Sequence, residues 1–131
     1  MKSFCRIVTF EVLRCGVVVC VGPMGKELKR AYEAECRRHS IENPPDFSWI
    51  SDAAKAENDE FPDKPYSGIT VGKGFDYAIY LPKWGDDTFV HECVHAVKHI
   101  LEDHGVKDEE SLAFHIEYLY SHVLGIRRKP R

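Results

Sequence analysis

The chain of 131 residues lacks the features that would set it apart from ordinary globular proteins. It has no internal repeats, no low-complexity segment and no long uncharged apolar run. Its most apolar stretch, residues 12–22, contains Arg14 and is too short to cross a bilayer. The formal net charge of −3 gives no excess of positive charge for nucleic acid or an anionic lipid surface. We therefore expect one domain over residues 1–131, with neither nucleic acid nor a membrane as partner.

The sequence also has no CxxC pair, and its five cysteines are an odd number in a chain large enough to fold around its own core. Cys15 and Cys20 are close in sequence, but residues five apart on a strand point to opposite faces. The N-terminal stretch has no uninterrupted apolar core of the kind that a signal peptide needs. These absences predict reduced, mostly buried thiols and a cytoplasmic location.

Residues 1–85 have the pattern of a small sheet, one helix and a long loop. Residues 7–21 are rich in Val, Phe and Cys around a tight turn at Arg14, which predicts two strands. Residues 26–39 carry apolar side chains at helical spacing among many charges, which predicts an amphipathic helix packed on the sheet. Residues 41–66 mix prolines and acids, which predicts a long irregular loop with one helical turn at residues 52–57.

Residues 68–81 predict a β-hairpin turning at Gly72-Lys73-Gly74. Two acids, Asp86 and Asp87, then favour the start of a helix that ends near His104. A second helix is predicted from Asp108 to about Leu124. The fold class is therefore α+β: a small, mostly antiparallel sheet with a packed helix, a C-terminal helix pair over residues 86–124, and a basic tail at residues 125–131.

The segment HECVH in the first helix of this pair carries the strongest chemical signal. His91 and His95 are four residues apart, so their imidazoles project from one helix face as two ligands of one metal ion must. Glu92 lies beside them and can take a proton from a metal-bound water. A separate apolar stripe, formed by Val90, Val94, Val97 and Leu101, gives the helix a side to bury. We predict a Zn²⁺ site with His91 and His95 as ligands and Glu92 as general base.

A catalytic zinc takes a third protein ligand, and the acidic start of the second helix offers one. Glu110 is the favoured candidate and Glu109 the alternative, while Glu117 could instead orient a histidine ligand. A third histidine, His99, continues the spacing of the other two and leaves an all-histidine site open. Its angular drift on an ideal helix makes joint ligation by all three poor.

Residues 87–120, about a quarter of the chain, resemble zincin metallopeptidases of the gluzincin type through the segments HECVHAVKHILEDHG and DEESLAFHIEYL. In those enzymes a glutamate on the next helix completes the H-E-x-x-H site, which here implies Glu110. The chain is similar to the very small zincin-like proteins often encoded by bacteriophages, which implies the host cytoplasm as its compartment. The resemblance also implies an edge strand beside the cleft, a place that residues 75–81 would fill.

The function predicted from these residues is zinc-dependent hydrolysis, most simply of a peptide bond in a peptide or protein substrate, with zinc as cofactor. The alternative is a non-catalytic, zinc-stabilised binding or interaction protein on a zincin scaffold, and its association with a phage is left open. The sequence leaves the oligomeric state and the substrate open. It also leaves open whether residues 41–66 close over the site.

Overall fold

A four-stranded sheet lies at the centre of the molecule, in a computed structural model that describes residues 3–74 and 76–128. Its strands are β1 (Phe4–Phe10), β2 (Cys15–Val21), β3 (Ile69–Lys73) and β4 (Asp76–Leu81), in the order β1-β2-β4-β3. Each hairpin is antiparallel, and β2 pairs with β4 in parallel to join the two hairpins. The predicted α+β class with a mostly antiparallel sheet is confirmed.

Helices cover both faces of this sheet. They are α1 (Lys26–Arg38), α2 (Ser48–Glu60), α3 (Asp86–Asp103) and α4 (Glu109–Arg128). Successive residues of a strand point to opposite faces, so Val17 and Val19 of β2 pack with α3 and α4, while Val18 and Cys20 pack with α1 and α2. Because both faces are covered, the two inner strands are apolar along almost their whole length.

The predicted loop over residues 41–66 is wrong in its middle, where α2 runs for 13 residues rather than one turn. Only Ile50 and Ala54 of this helix are buried, so its sequence carries too few apolar positions to show a helical period. The helix is held by tertiary packing: Phe47, Ile50 and Ala54 join the core cluster beneath the sheet.

The helix pair begins and ends close to the predicted positions. Gly105, at φ 71°, stops the chain after α3, as expected of a glycine just past a helix end. The side chain of Asp108 accepts a hydrogen bond from the backbone N–H of Ser111 at 3.2 Å and caps α4. That helix continues to Arg128, beyond the predicted end near Leu124.

The apolar stripe predicted for α3 is partly wrong. Val90 and Val94 are 39% and 37% exposed, and only the other two members of the stripe, Val97 and Leu101, are buried. The buried side is instead centred on Phe89, Cys93, Ala96 and Ile100, which face the sheet. The sheet, rather than the neighbouring helix alone, decides which side of α3 is buried.

The edge strand beside α3 is β3, and the assignment of residues 75–81 to that place is wrong because β4 lies inside the sheet. The opposite edge, β1, is covered by a side chain: the N–H of Ile7 donates to buried Glu35 at 2.7 Å.

Phe75 and the tail residues 129–131 lie outside the described residues. Within the described part of the chain, no helix has the length and apolarity needed to cross a membrane.

Candidate functional site

The HECVH segment forms the second and third turns of α3, where the helical period separates its members into two environments. His91 and His95 are exposed, whereas Glu92 is 6% exposed and Cys93 is fully buried. The Nε2 atoms of the two histidines lie 3.0 Å apart, with the rings nearly perpendicular at 82°. The predicted histidine pair is thus brought together on the solvent side of the helix.

The separation of the two nitrogens fits a shared metal ion. Bonds of about 2.0–2.1 Å to a tetrahedral zinc place two nitrogen ligands about 3.3 Å apart, close to the observed value. Without an ion, the same contact is a hydrogen bond in which one neutral ring donates and the other accepts. Both arrangements place the Nε2 atoms of His91 and His95 next to each other.

Glu92 is held in place by the edge strand. The hydroxyl of Thr70 on β3 lies 2.7 Å from Oε1 of Glu92 and 3.2 Å from its backbone carbonyl oxygen. Gly68, just before β3, leaves room for this side chain, since a Cβ at Gly68 would lie 3.1 Å from Cγ of Glu92. The carboxylate is therefore oriented by hydrogen bonding and by close packing.

The neighbouring Cys93 takes no part in this polar surface. Burial raises the pKa of its thiol to about 12, and the side chain lies in the core between α3 and the sheet. A thiol that stays protonated at neutral pH is a poor metal ligand. The HECVH segment therefore offers two imidazoles and one carboxylate.

An open cleft of about 520 Å³ lies between α3 and the edge strand. Its lining comes from four parts of the chain: Glu57 of α2, Gly68 before β3, Ile69 and Thr70 of β3, and Glu92, His95, Lys98, His99 and Glu102 of α3. Acidic and basic groups both line it, and Glu92 and His95 are among them. The cleft therefore connects the candidate base and one candidate ligand to solvent.

His99 lines the same cleft but makes different contacts. Its Nε2 lies 3.6 Å from a carboxylate oxygen of Asp103, and its ring packs edge-on against Tyr77 at 5.7 Å. The hydroxyl of Tyr77 donates to the same Asp103 oxygen at 2.7 Å, and burial together with this carboxylate raises the pKa of Tyr77. His99 thus contacts Tyr77 and Asp103, one turn beyond His95 on α3.

Among the described residues, none of the third-ligand candidates forms a metal-binding group with the histidine pair. Glu109 and Glu110 are exposed in the first turn of α4, and Glu117 is exposed two turns later. In the part of the chain that the structure describes, no three His, Cys, Asp or Glu side chains form a group that could hold a metal ion. The structure gives the all-histidine alternative no support either, and ligation by Glu110 stays a prediction.

The packing of α4 explains this placement. Leu119 and Val123 of α4 enter the core cluster that contains Val97 and Leu101 of α3. Val97 follows His95 by two residues, which is about 200° around the helix. Leu119 and Val123 therefore pack on the side of α3 away from His95, while Glu57 of α2 and residues 69–70 of β3 line the cleft beside it.

Thr70 is the site residue that the sequence reasoning missed. In the sequence it is an ordinary β-branched residue in a short strand, with nothing to mark it as a partner of Glu92. Its role depends on β3 being the edge strand next to α3.

A scan against protein-family models and searches of curated proteins and solved structures found no match to this chain.

Proposed function

We propose that the protein is a metal-dependent hydrolase, most simply a zinc peptidase, with His91 and His95 as metal ligands and Glu92 as general base. The observation that carries the proposal is the 3.0 Å distance between the Nε2 atoms of the two histidines. The carboxylate of Glu92, the residue after His91, is oriented by Thr70. Two imidazoles and one positioned carboxylate are the parts that H-E-x-x-H chemistry requires on one helix.

A zinc ion held there would polarise a carbonyl and lower the pKa of a bound water to about 7. Glu92 would accept a proton from the attacking water and pass it to the leaving amine. Its hydrogen bond to Thr70 fixes one carboxylate oxygen and lets the side chain act without first losing rotamer freedom. The open cleft gives a substrate access to the same carboxylate.

The substrate class that fits this surface best is an extended peptide. Ile69 and Thr70 of the edge strand line the cleft, and β3 has a neighbour on one side only. A peptide can add to such an edge by backbone hydrogen bonding. This supports hydrolysis of a peptide bond over hydrolysis of a small ester.

A non-catalytic, metal-binding interaction protein is the second candidate. It is favoured by one observation: among the described residues only two metal-ligand donors converge, where a catalytic zinc takes three protein ligands. On either proposal we place the protein in a reducing, cytoplasmic compartment, because all five of its cysteines are free thiols and none forms a disulfide.

Metal content tests the ligand assignment first. Zinc bound per chain is measured by mass spectrometry after reconstitution and desalting, for the wild type, His91→Ala, His95→Ala and Glu110→Ala. His122→Ala serves as control, because His122 is an exposed histidine on the other helix. We expect about one zinc per chain in the wild type and control, and none in the two α3 variants. Glu110→Ala tests the third ligand separately.

Glu92→Gln then separates the two candidate functions. The variant keeps the size of the side chain, so zinc content should be unchanged. Cleavage of a denatured-protein substrate should fall by at least about 100-fold if Glu92 is the base. Equal metal binding with no cleavage by the wild type would favour the interaction protein, and no metal in any variant would reject both.

A further inference from the structure

Cys5 and Cys20 form a pair of thiols on the sheet face away from the candidate metal site. They are direct partners in the antiparallel register of β1 and β2, and their Sγ atoms lie 2.9 Å apart. Directly opposite strand residues have Cα separations of about 4.5–5.5 Å, inside the range of about 4.4–6.8 Å that disulfides span. Bond formation needs the sulfur atoms to approach by only about 0.9 Å more.

The two thiols differ in exposure. Cys5 lies on the edge strand and is 9% exposed, whereas Cys20 on the inner strand is fully buried. Burial raises the pKa of the Cys20 thiol well above its usual value, and the thiol hydrogen bond with Cys5 adds to this rise. Cys5 is therefore the more exposed residue of the pair, and we expect a small molecule to reach its sulfur before that of Cys20.

The other cysteines supply internal comparisons. Cys36 of α1 packs in the same core cluster and is 2% exposed, so it is the nearest competitor for a bond. Cys15 and Cys93 are also buried, but they lie in the cluster on the opposite face of the sheet. A reaction that depends on the geometry of the pair should spare both of them.

We propose that Cys5 and Cys20 are an oxidation site that takes a small peroxide and forms a disulfide across β1 and β2. The Cys5 thiol gives up its proton, the thiolate attacks one peroxide oxygen, and the O–O bond breaks; Cys5 becomes a sulfenic acid, and the leaving hydroxide takes up that proton as the first water. The sulfur of Cys20 attacks Sγ of Cys5, the S–O bond breaks, and hydroxide leaves with the Cys20 proton as a second water. Two thiols are oxidised and one peroxide is reduced to two waters.

The bond would fasten the edge strand to the inner strand. It closes the hairpin that turns through Glu11 and Arg14, so β1 could no longer separate from β2. Crosslinking residues distant in sequence restricts the unfolded chain, and the oxidised protein should melt at a higher temperature than the reduced one.

The test is treatment of the reduced protein with hydrogen peroxide, followed by alkylation in denaturant and intact-mass measurement. We expect the loss of two hydrogen atoms, three alkylated cysteines where reduced protein has five, and reversal by dithiothreitol. Trypsin places Cys5 in residues 3–6, Cys36 in residues 31–37 and Cys15 with Cys20 in residues 15–26. The expected crosslink joins the first and last of these peptides, and fragmentation assigns it to Cys20.

Cys15→Ser is the matched control and should oxidise as the wild type does, whereas Cys20→Ser should not form the crosslink. Peptide mapping of the wild type decides the question even if Cys20→Ser fails to fold. Five alkylated cysteines after peroxide, addition of oxygen without loss of hydrogen, or a crosslink through Cys36, Cys15 or Cys93 would each overturn the proposal.

Discussion

Replacing Thr70 by valine removes the hydroxyl that orients Glu92 while keeping the shape of the side chain. The hydroxyl has one proton, and its closest acceptor is Oε1 of Glu92 at 2.7 Å rather than the backbone oxygen at 3.2 Å. A hydrogen bond to an ionised group contributes about 1.5–3 kcal/mol to stability. The cleft is open to water, which can replace part of this bond, so we expect Thr70→Val to lower the free energy of unfolding by about 1–2 kcal/mol.

Urea unfolding at neutral pH measures this change, with a chelator present so that metal binding does not contribute to stability. Thr70→Ser is the matched control, since it keeps the hydroxyl and should cost less than about 1 kcal/mol. A double-mutant cycle with Glu92→Ala isolates the contact: the valine substitution should be nearly neutral in that background, giving a coupling energy of about 1–2 kcal/mol.

Two results would refute the reasoning. If Thr70→Val and Thr70→Ser have the same effect, the hydroxyl does not stabilise the fold. If the valine substitution costs as much without the carboxylate as with it, the hydroxyl acts on another group and Glu92 is not anchored by the edge strand.

Two further predictions concern packing around the sheet. Burial opposes ionisation of Glu35, but hydrogen bonds from Arg38 and the Ile7 N–H outweigh it and hold the pKa of Glu35 below its usual value. Glu35→Gln should therefore lower the free energy of unfolding by about 1–2 kcal/mol at neutral pH. That stability is fully present above the unfolded pKa of about 4.3 and is lost as the pH falls through the lower folded pKa, so a pH-independent difference in urea unfolding would contradict the prediction. A Cβ at Gly72 would lie 2.6 Å from the His99 ring. Gly72→Ala should therefore lower the free energy of unfolding by about 1 kcal/mol in the wild type and by less in a His99→Ala background. If thermal melting shows the same loss in both backgrounds, the strain does not come from His99.

Elements with a strong local signal could be predicted from the sequence. α1 and α3 carry apolar residues at helical spacing with glycines or acids near their ends, and both hairpins have apolar strands around a turn. In α3 this spacing predicts the helix but not which side is buried. The middle of residues 41–66 could not, because α2 buries only two residues and is stabilised by contacts from distant parts of the chain. Local periodicity does not contain that information.

The same division applies to the site. The approach of His91 and His95 follows from helical spacing within one helix, so the sequence was sufficient to predict it. A third ligand depends on which side of α3 the next helix packs, and a partner for Glu92 depends on strand order. Both are tertiary properties, which explains why the sequence could not establish a third ligand and why Thr70 was missed.

The parallel pairing of β2 with β4 has a consequence for the order of folding. Each hairpin joins residues close in sequence, but Val17 pairs with Tyr77, and closing so long a loop costs entropy that local contacts do not offset in advance. We expect the two hairpins to form early and their union to limit the rate. The residues that line the cleft lie between Glu57 and Glu102, all of them after the N-terminal hairpin in sequence. The N-terminal hairpin therefore contributes to the cleft as the surface on which the C-terminal hairpin and α3 are assembled.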